Sequence, residues 1–142
     1  MASFWSTYLK NKVNDHLKGI ASFSTPATSY FAMMLAPPTP AGGGTELSVP
    51  GQPRLPFNNN STNWNAASAG VSTNKIEMLF TSSAVTDYGT IVGIAEYDAL
   101  TSGNLLTYGD LTASKTVLSG MKFSVLAGNG SFQYVDDVPP PI

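Results

Sequence analysis

The sequence predicts a mainly β chain: an antiparallel β-sandwich or jelly-roll with one N-terminal amphipathic α-helix and extended proline-rich arms. Three observations predict it. From Lys75 onward apolar and polar residues alternate at period two. Gly, Ser, Asp and Asn turns divide these runs at spacings of about ten residues, as in sandwiches. Only residues 3–20 carry a helical period.

In that helix Trp5, Leu9, Val13, Leu17 and Ile20 recur at spacings of four, four, four and three, with Phe4 and Tyr8 beside them. Asn11, Lys12, Asn14, Asp15 and Lys18 fill the opposite face. Ser3 reads as the N-cap, and Lys18-Gly19 as the ending, with the cation on the negative end of the dipole. A single apolar stripe needs a cover. Trp5, Leu9, Val13 and Leu17 are therefore expected to meet the chain's own sheet or a sister helix, and closed symmetry favours a dimer or trimer.

Ser29 to Ala36 reads as a buried strand stopped by Pro37-Pro38. Residues 37–56 hold six prolines and four glycines and read as a long irregular arm carrying Arg54, the one arginine. Asn58 to Gly70 is a polar stretch anchored by Trp64, either pinning its own loop or touching a partner. Strands follow at Ile76-Met78-Phe80, Thr90 to Asp98, Asn104 to Tyr108, Lys115 to Leu118, Met121-Phe123-Val125 and Phe132-Tyr134. Three successive prolines, Pro139 to Pro141, keep the end out of a central sheet. The expected division is one domain over 1–135 and an extended tail over 136–142, with Val138, Pro139, Pro140 and Ile142 as contact residues.

Composition narrows the function. Seven Lys or Arg and nine Asp or Glu make 11% charge, under half of the roughly 25% usual in soluble domains. Ser, Thr and Asn supply 40 residues. A net charge of −2 gives no basic footprint, so neither nucleic acid nor anionic membrane is an expected partner. The longest apolar run, Phe31 to Ala36, is far short of the roughly 20 residues of a spanning helix. Lys10 and Lys12 interrupt any signal-peptide pattern, so the protein is expected to stay on the side where it is made. The absence of cysteine excludes disulfides and thiolate chemistry.

Catalytic constellations are not expected either. His16 and Asp15 are adjacent on the helix and do not face each other. One histidine with scattered carboxylates matches no metal spacing, and Gly42-Gly43-Gly44 lacks the Lys-Ser/Thr of a phosphate loop. The sequons at Asn59 and Asn60 read as loop residues. The sequence reading is therefore a non-enzyme with no cofactor and no metal.

Three segments carry a resemblance. Ala27-Thr28-Ser29-Tyr30-Phe31-Ala32-Met33-Met34-Leu35 and Asn60-Ser61-Thr62-Asn63-Trp64-Asn65-Ala66-Ala67 are the first two. The third runs from Tyr88-Gly89-Thr90-Ile91-Val92-Gly93-Ile94 through Tyr97-Asp98-Ala99 and Gly103 to Gly109, and on to Gly120. In order and spacing they are similar to a family of small tailed-bacteriophage virion proteins. Members are usually labelled tail fibre proteins, and similar chains serve as capsid cement or decoration proteins. The resemblance implies a structural role and a virion address, with synthesis in the host cytoplasm. The proline-rich insert and tail, read as arms, favour cement on the capsid surface, with the major capsid protein and sister copies as partners. A tail or fibre component for host attachment is the alternative, and a carbohydrate-binding sandwich using exposed Trp64 is a third reading.

Overall fold

A computed structural model describes residues 3–133, and its hydrogen bonding follows the period-two pattern. In chain order the elements are β1 (Phe4–Trp5), α1 (Thr7–Leu17), β2 (Thr28–Ala36), β3 (Thr45–Glu46), β4 (Leu55–Asn58) and β5 (Val71–Thr73). They continue with β6 (Met78–Thr81), β7 (Gly89–Tyr97), β8 (Leu105–Val117), β9 (Phe123–Val125) and β10 (Ser131–Gln133). The main sheet runs β1-β8-β7-β2-β3, with β4 also paired to β2; β5 pairs β10 and β6 pairs β9. All pairings are antiparallel.

Strand β2 sits in the middle, and both of its faces are buried, which is why its apolar run is continuous rather than alternating. Phe31 and Met33 face the larger core with Ile91, Ile94 and Val117 of the main sheet. Met78, Phe80, Phe123 and Val125 close that core from the β6–β9 side. Ala32 and Met34 point the other way and pack with Ala95 and Leu105 under Tyr97 and Tyr108. The expected sandwich is therefore present as one broad sheet covered by two short ones.

Several boundaries differ from the sequence reading, each for a local reason. The helix starts at Thr7, not Ser3, because Phe4 and Trp5 pair with Tyr108 and Thr107 of β8. Trp5 is thus a strand residue. Ser6 is the N-cap: its Oγ accepts from the Leu9 amide at 3.1 Å and donates to the Leu105 carbonyl, while its own amide reaches Leu106 O at 2.9 Å. One serine therefore caps the helix and fastens it to β8. The predicted ending holds, since Lys18 is the C-cap and Gly19 has φ +70°. Leu9 and Val13 are partly covered by the chain's own fold, whereas Leu17 and Ile20 are 73% and 74% exposed.

The insert over 37–56 is not a free arm. It contributes β3 to the sheet, Leu47 is buried in the core, and the Leu47 amide donates to Met33 O at 2.8 Å. Two tight bridges, Thr39 with Gly42 and Val49 with Gln52, turn the proline-rich chain back on itself. Prolines and glycines here build turns of a folded segment. Ile76 and Met121 lie outside β6 and β9 and are exposed rather than in strand register.

Asn104 to Tyr108 and Lys115 to Leu118, expected as separate strands, are the two ends of β8. Ile91 opposes Lys115 and Gly93 opposes Asp110, so residues 111–114 form a bulge against Val92 alone. Gly93 is needed beside that bulge, because a Cβ there would lie 2.6 Å from the Gly109 carbonyl oxygen. Gly93→Ala is expected to cost about 2 kcal/mol in urea denaturation through forced backbone displacement. The C-terminal expectations, Tyr134 and the tail residues Val138, Pro139, Pro140 and Ile142, lie outside the described residues.

Candidate functional site

Two polar clusters stand out within this apolar frame. The first is centred on Glu96, next to last in β7. Its register partners are Phe31 and Thr107, which places its side chain at the polar end of the main core. Ser29 Oγ donates to Glu96 Oε1 and Thr107 Oγ1 donates to Oε2, both at 2.6 Å. These are the short distances of hydroxyls bound to a carboxylate. Asn59 Nδ2 in turn donates to Ser29 Oγ at 2.8 Å and to Pro26 O at 3.0 Å, and Asn59 Oδ1 accepts from Trp64 Nε1 at 3.0 Å. A continuous chain of donors thus runs from Trp64 to Glu96.

Burial holds the Glu96 carboxyl above its ordinary range, and the two hydroxyl donors oppose part of that rise. The consequence for stability has a definite sign. Between the unfolded carboxyl value, about 4.3, and the raised folded one, the native state keeps a proton that the unfolded chain has lost. The favourable contribution is present below that window and is lost as pH rises through it. Glu96→Gln keeps the shape and removes the titration. Its melting temperature is expected to gain on the natural protein as pH climbs from acid to neutral, and parallel melting curves would contradict this.

The second cluster is centred on Arg54. Its Nε and Nη2 meet the two carboxylate oxygens of Glu46 at 2.9 Å, and its Nη1 donates to Ala99 O and Ser102 O at 2.8 Å. The guanidinium carbon sits 3.7 Å from the Tyr97 ring centroid. The Tyr97 phenol is pushed up first by burial, then by the Glu46 carboxylate, with Arg54 opposing. The arginine expected at a partner interface is engaged within its own chain.

Trp64 is likewise turned inward. Its ring stands edge-on to Phe57 at 5.2 Å and to Phe132 at 5.0 Å, and tilted to Phe31 at 6.2 Å. It pins the polar loop, as one of the two sequence readings has it, and that removes the observation behind a carbohydrate platform. Below it Asn60 Oδ1 accepts from the amides of Thr62 and Asn63, both at 3.0 Å, closing an Asx turn. His16 is exposed, and its Nδ1 accepts the Phe23 amide at 3.2 Å, tying the loop after the helix to the helix. Among the predicted contact residues Trp5, Leu9 and Val13 are thus partly covered by their own chain, and Leu17 is open.

Sequence reasoning missed Glu96 and Asn74. Glu96 is the one charged residue in the strand Gly89–Tyr97, directly after the apolar run Ile91 to Ala95, and that misfit was a usable signal. Asn74 stands in a run of polar loop residues and gave none.

No helix among the described residues is long and apolar enough to cross a membrane. Folded side chains that satisfy one another inside an antiparallel sandwich define a structural β module. The family comparison makes this particular. The family described as podophage GP4 fiber I protein gp80 matches residues 4–133, and the chain belongs to it. It is a bacteriophage virion structural protein. No curated protein matches the chain.

Proposed function

We propose that this protein is a structural component of the phage fibre, working by adhesion to other virion proteins and not by catalysis. The family match over residues 4–133 carries the reading. The fold agrees with it: Arg54 and Trp64, the residues best suited to grip a ligand, are spent on internal contacts. What remains outside is rich in hydroxyl and amide groups, which make wet contacts at little cost in charge desolvation.

Cement on the major capsid protein is the second reading. It loses one of its two supports, since the 37–56 insert is folded onto its own sheet. It keeps the other, the proline-rich sequence of residues 136–142. Antibody-gold labelling of virions separates the two. Label confined to the tail vertex is expected, and label spread over the head would favour cement.

Leu17 at the end of the helix and Ile20 just past its cap are both open, and we place the contact between sister copies there. Sedimentation of the isolated protein is expected to give a dimer or trimer. Leu17→Glu with Ile20→Glu should return it to monomer, and a natural protein that sediments as a monomer would remove this contact.

A further inference from the structure

Between helix α1 and the polar end of the main core lies a cavity of about 250 Å³ with Glu96 on its wall. Leu9 of the helix, Phe23 of the following loop and Leu106 of β8 supply apolar lining, and Thr25 and Pro26 line it as well. Among the described residues no lysine or arginine forms an ion pair with Glu96. A part-buried carboxylate with only two hydroxyls to answer it carries a partial desolvation cost that no cation offsets. An incoming cation recovers part of that cost.

We propose that this cavity is a receptor site for a primary alkylammonium group, with an apolar stem along Leu9, Phe23 and Leu106 and the charge on Glu96. The walls select the stem, because a small inorganic cation would leave them wet. The carboxylate selects the head. Each Glu96 oxygen already accepts one hydroxyl, so single lone pairs remain. That suits the rotating donors of an ammonium better than the fixed fork of a guanidinium. The chemistry is that of a lysine side chain on a neighbouring protein or of a free aliphatic amine.

The test is titration of the full-length isotope-labelled protein, followed by amide NMR at neutral pH. The probes are n-butylammonium, Nα-acetyl-lysine amide, 1,5-diaminopentane and uncharged n-butanol. Both monocationic probes are expected to shift the amides of Leu9, Phe23 and Leu106 saturably, in the millimolar range typical of so small a ligand, about −4 kcal/mol. Glu96→Gln should weaken this by at least about tenfold. Leu9→Phe, which fills the cavity and leaves the carboxylate in place, should do the same. Stronger binding of the lysine amide than of the diamine assigns the site to a protein side chain, and the reverse order assigns it to a free amine. Equal binding of n-butanol, unchanged binding by Glu96→Gln or Leu9→Phe, or no saturable shift at those amides would overturn the proposal.

Discussion

Arg54→Ala is expected to cost about 3 kcal/mol, lowering the melting temperature by about 10 °C for a chain of this length. The arginine side chain is 8% exposed, and three of its four hydrogen bonds, those to Glu46 and Ala99, are partly shielded from water, while the one to Ser102 O is open. Glu46, orphaned by the change, is 33% exposed and regains some hydration, which keeps the estimate at the lower end for broken buried pairs. The loss is also specific in place. Arg54 joins the insert, through Glu46, to the turn after β7, through Ala99 and Ser102. Without it, the insert should become the first site of limited proteolysis. Arg54→Lys keeps the charge and loses the fork, so it is expected to recover less than half of the stability. A cost below about 0.5 kcal/mol for Arg54→Ala would mean that the insert is held by other contacts.

Asn74→Asp is the second large effect, about 3 to 4 kcal/mol from the exchange of one nitrogen for oxygen. Asn74 is fully buried between β5 and β6. Its Nδ2 donates to Ile76 O at 2.9 Å and Leu126 O at 3.0 Å, and its Oδ1 accepts from the Gly130 amide at 2.8 Å. The backbone adds Gly128 N to Asn74 O at 2.8 Å. One amide thus ties the β5–β6 link to the β9–β10 turn. A carboxylate can still accept from Gly130 but turns a negative oxygen on two carbonyls. Protonation restores one donor, so the deficit against the natural protein should shrink as pH falls. Asn74→Ala lacks that recovery, and comparing the two variants' melting temperatures across acid pH checks the assignment.

The sequence made the strands legible because their apolar residues have one structural use. Phe31, Met33, Phe80, Phe123 and Val125 all lie in the core that period two places them in. The helix was legible through its stripe but not its start, since Phe4 and Trp5 satisfy a helical period and a strand equally well, and pairing with β8 decides between them. The 37–56 insert was misread for a different reason. Prolines and glycines report that regular structure is locally absent, and they say nothing about what Leu47 and Arg54 will find across the fold. The strands expected at Asn104 to Tyr108 and Lys115 to Leu118 both fall in β8, and the bulge that joins them, with Gly93 beside it, left no mark in the alternation. Long-range polar partners left no trace in composition. Glu96 finds Ser29 at a separation of 67 residues and Asn74 finds Gly130 at 56.

The charge shortage takes on a clearer meaning in this fold. Few charges are present, and Glu46 and Arg54 hold the domain together while Glu96 is withdrawn into a cavity. Contacts between copies and with other virion proteins must then rest on hydroxyls, amides and the open apolar residues at the helix end.

The fibre assignment is tested most directly by the number of copies of this chain per virion, counted by quantitative mass spectrometry against the major capsid protein. A fibre component predicts a few to a few dozen copies, and hundreds per particle would contradict it and restore the cement reading.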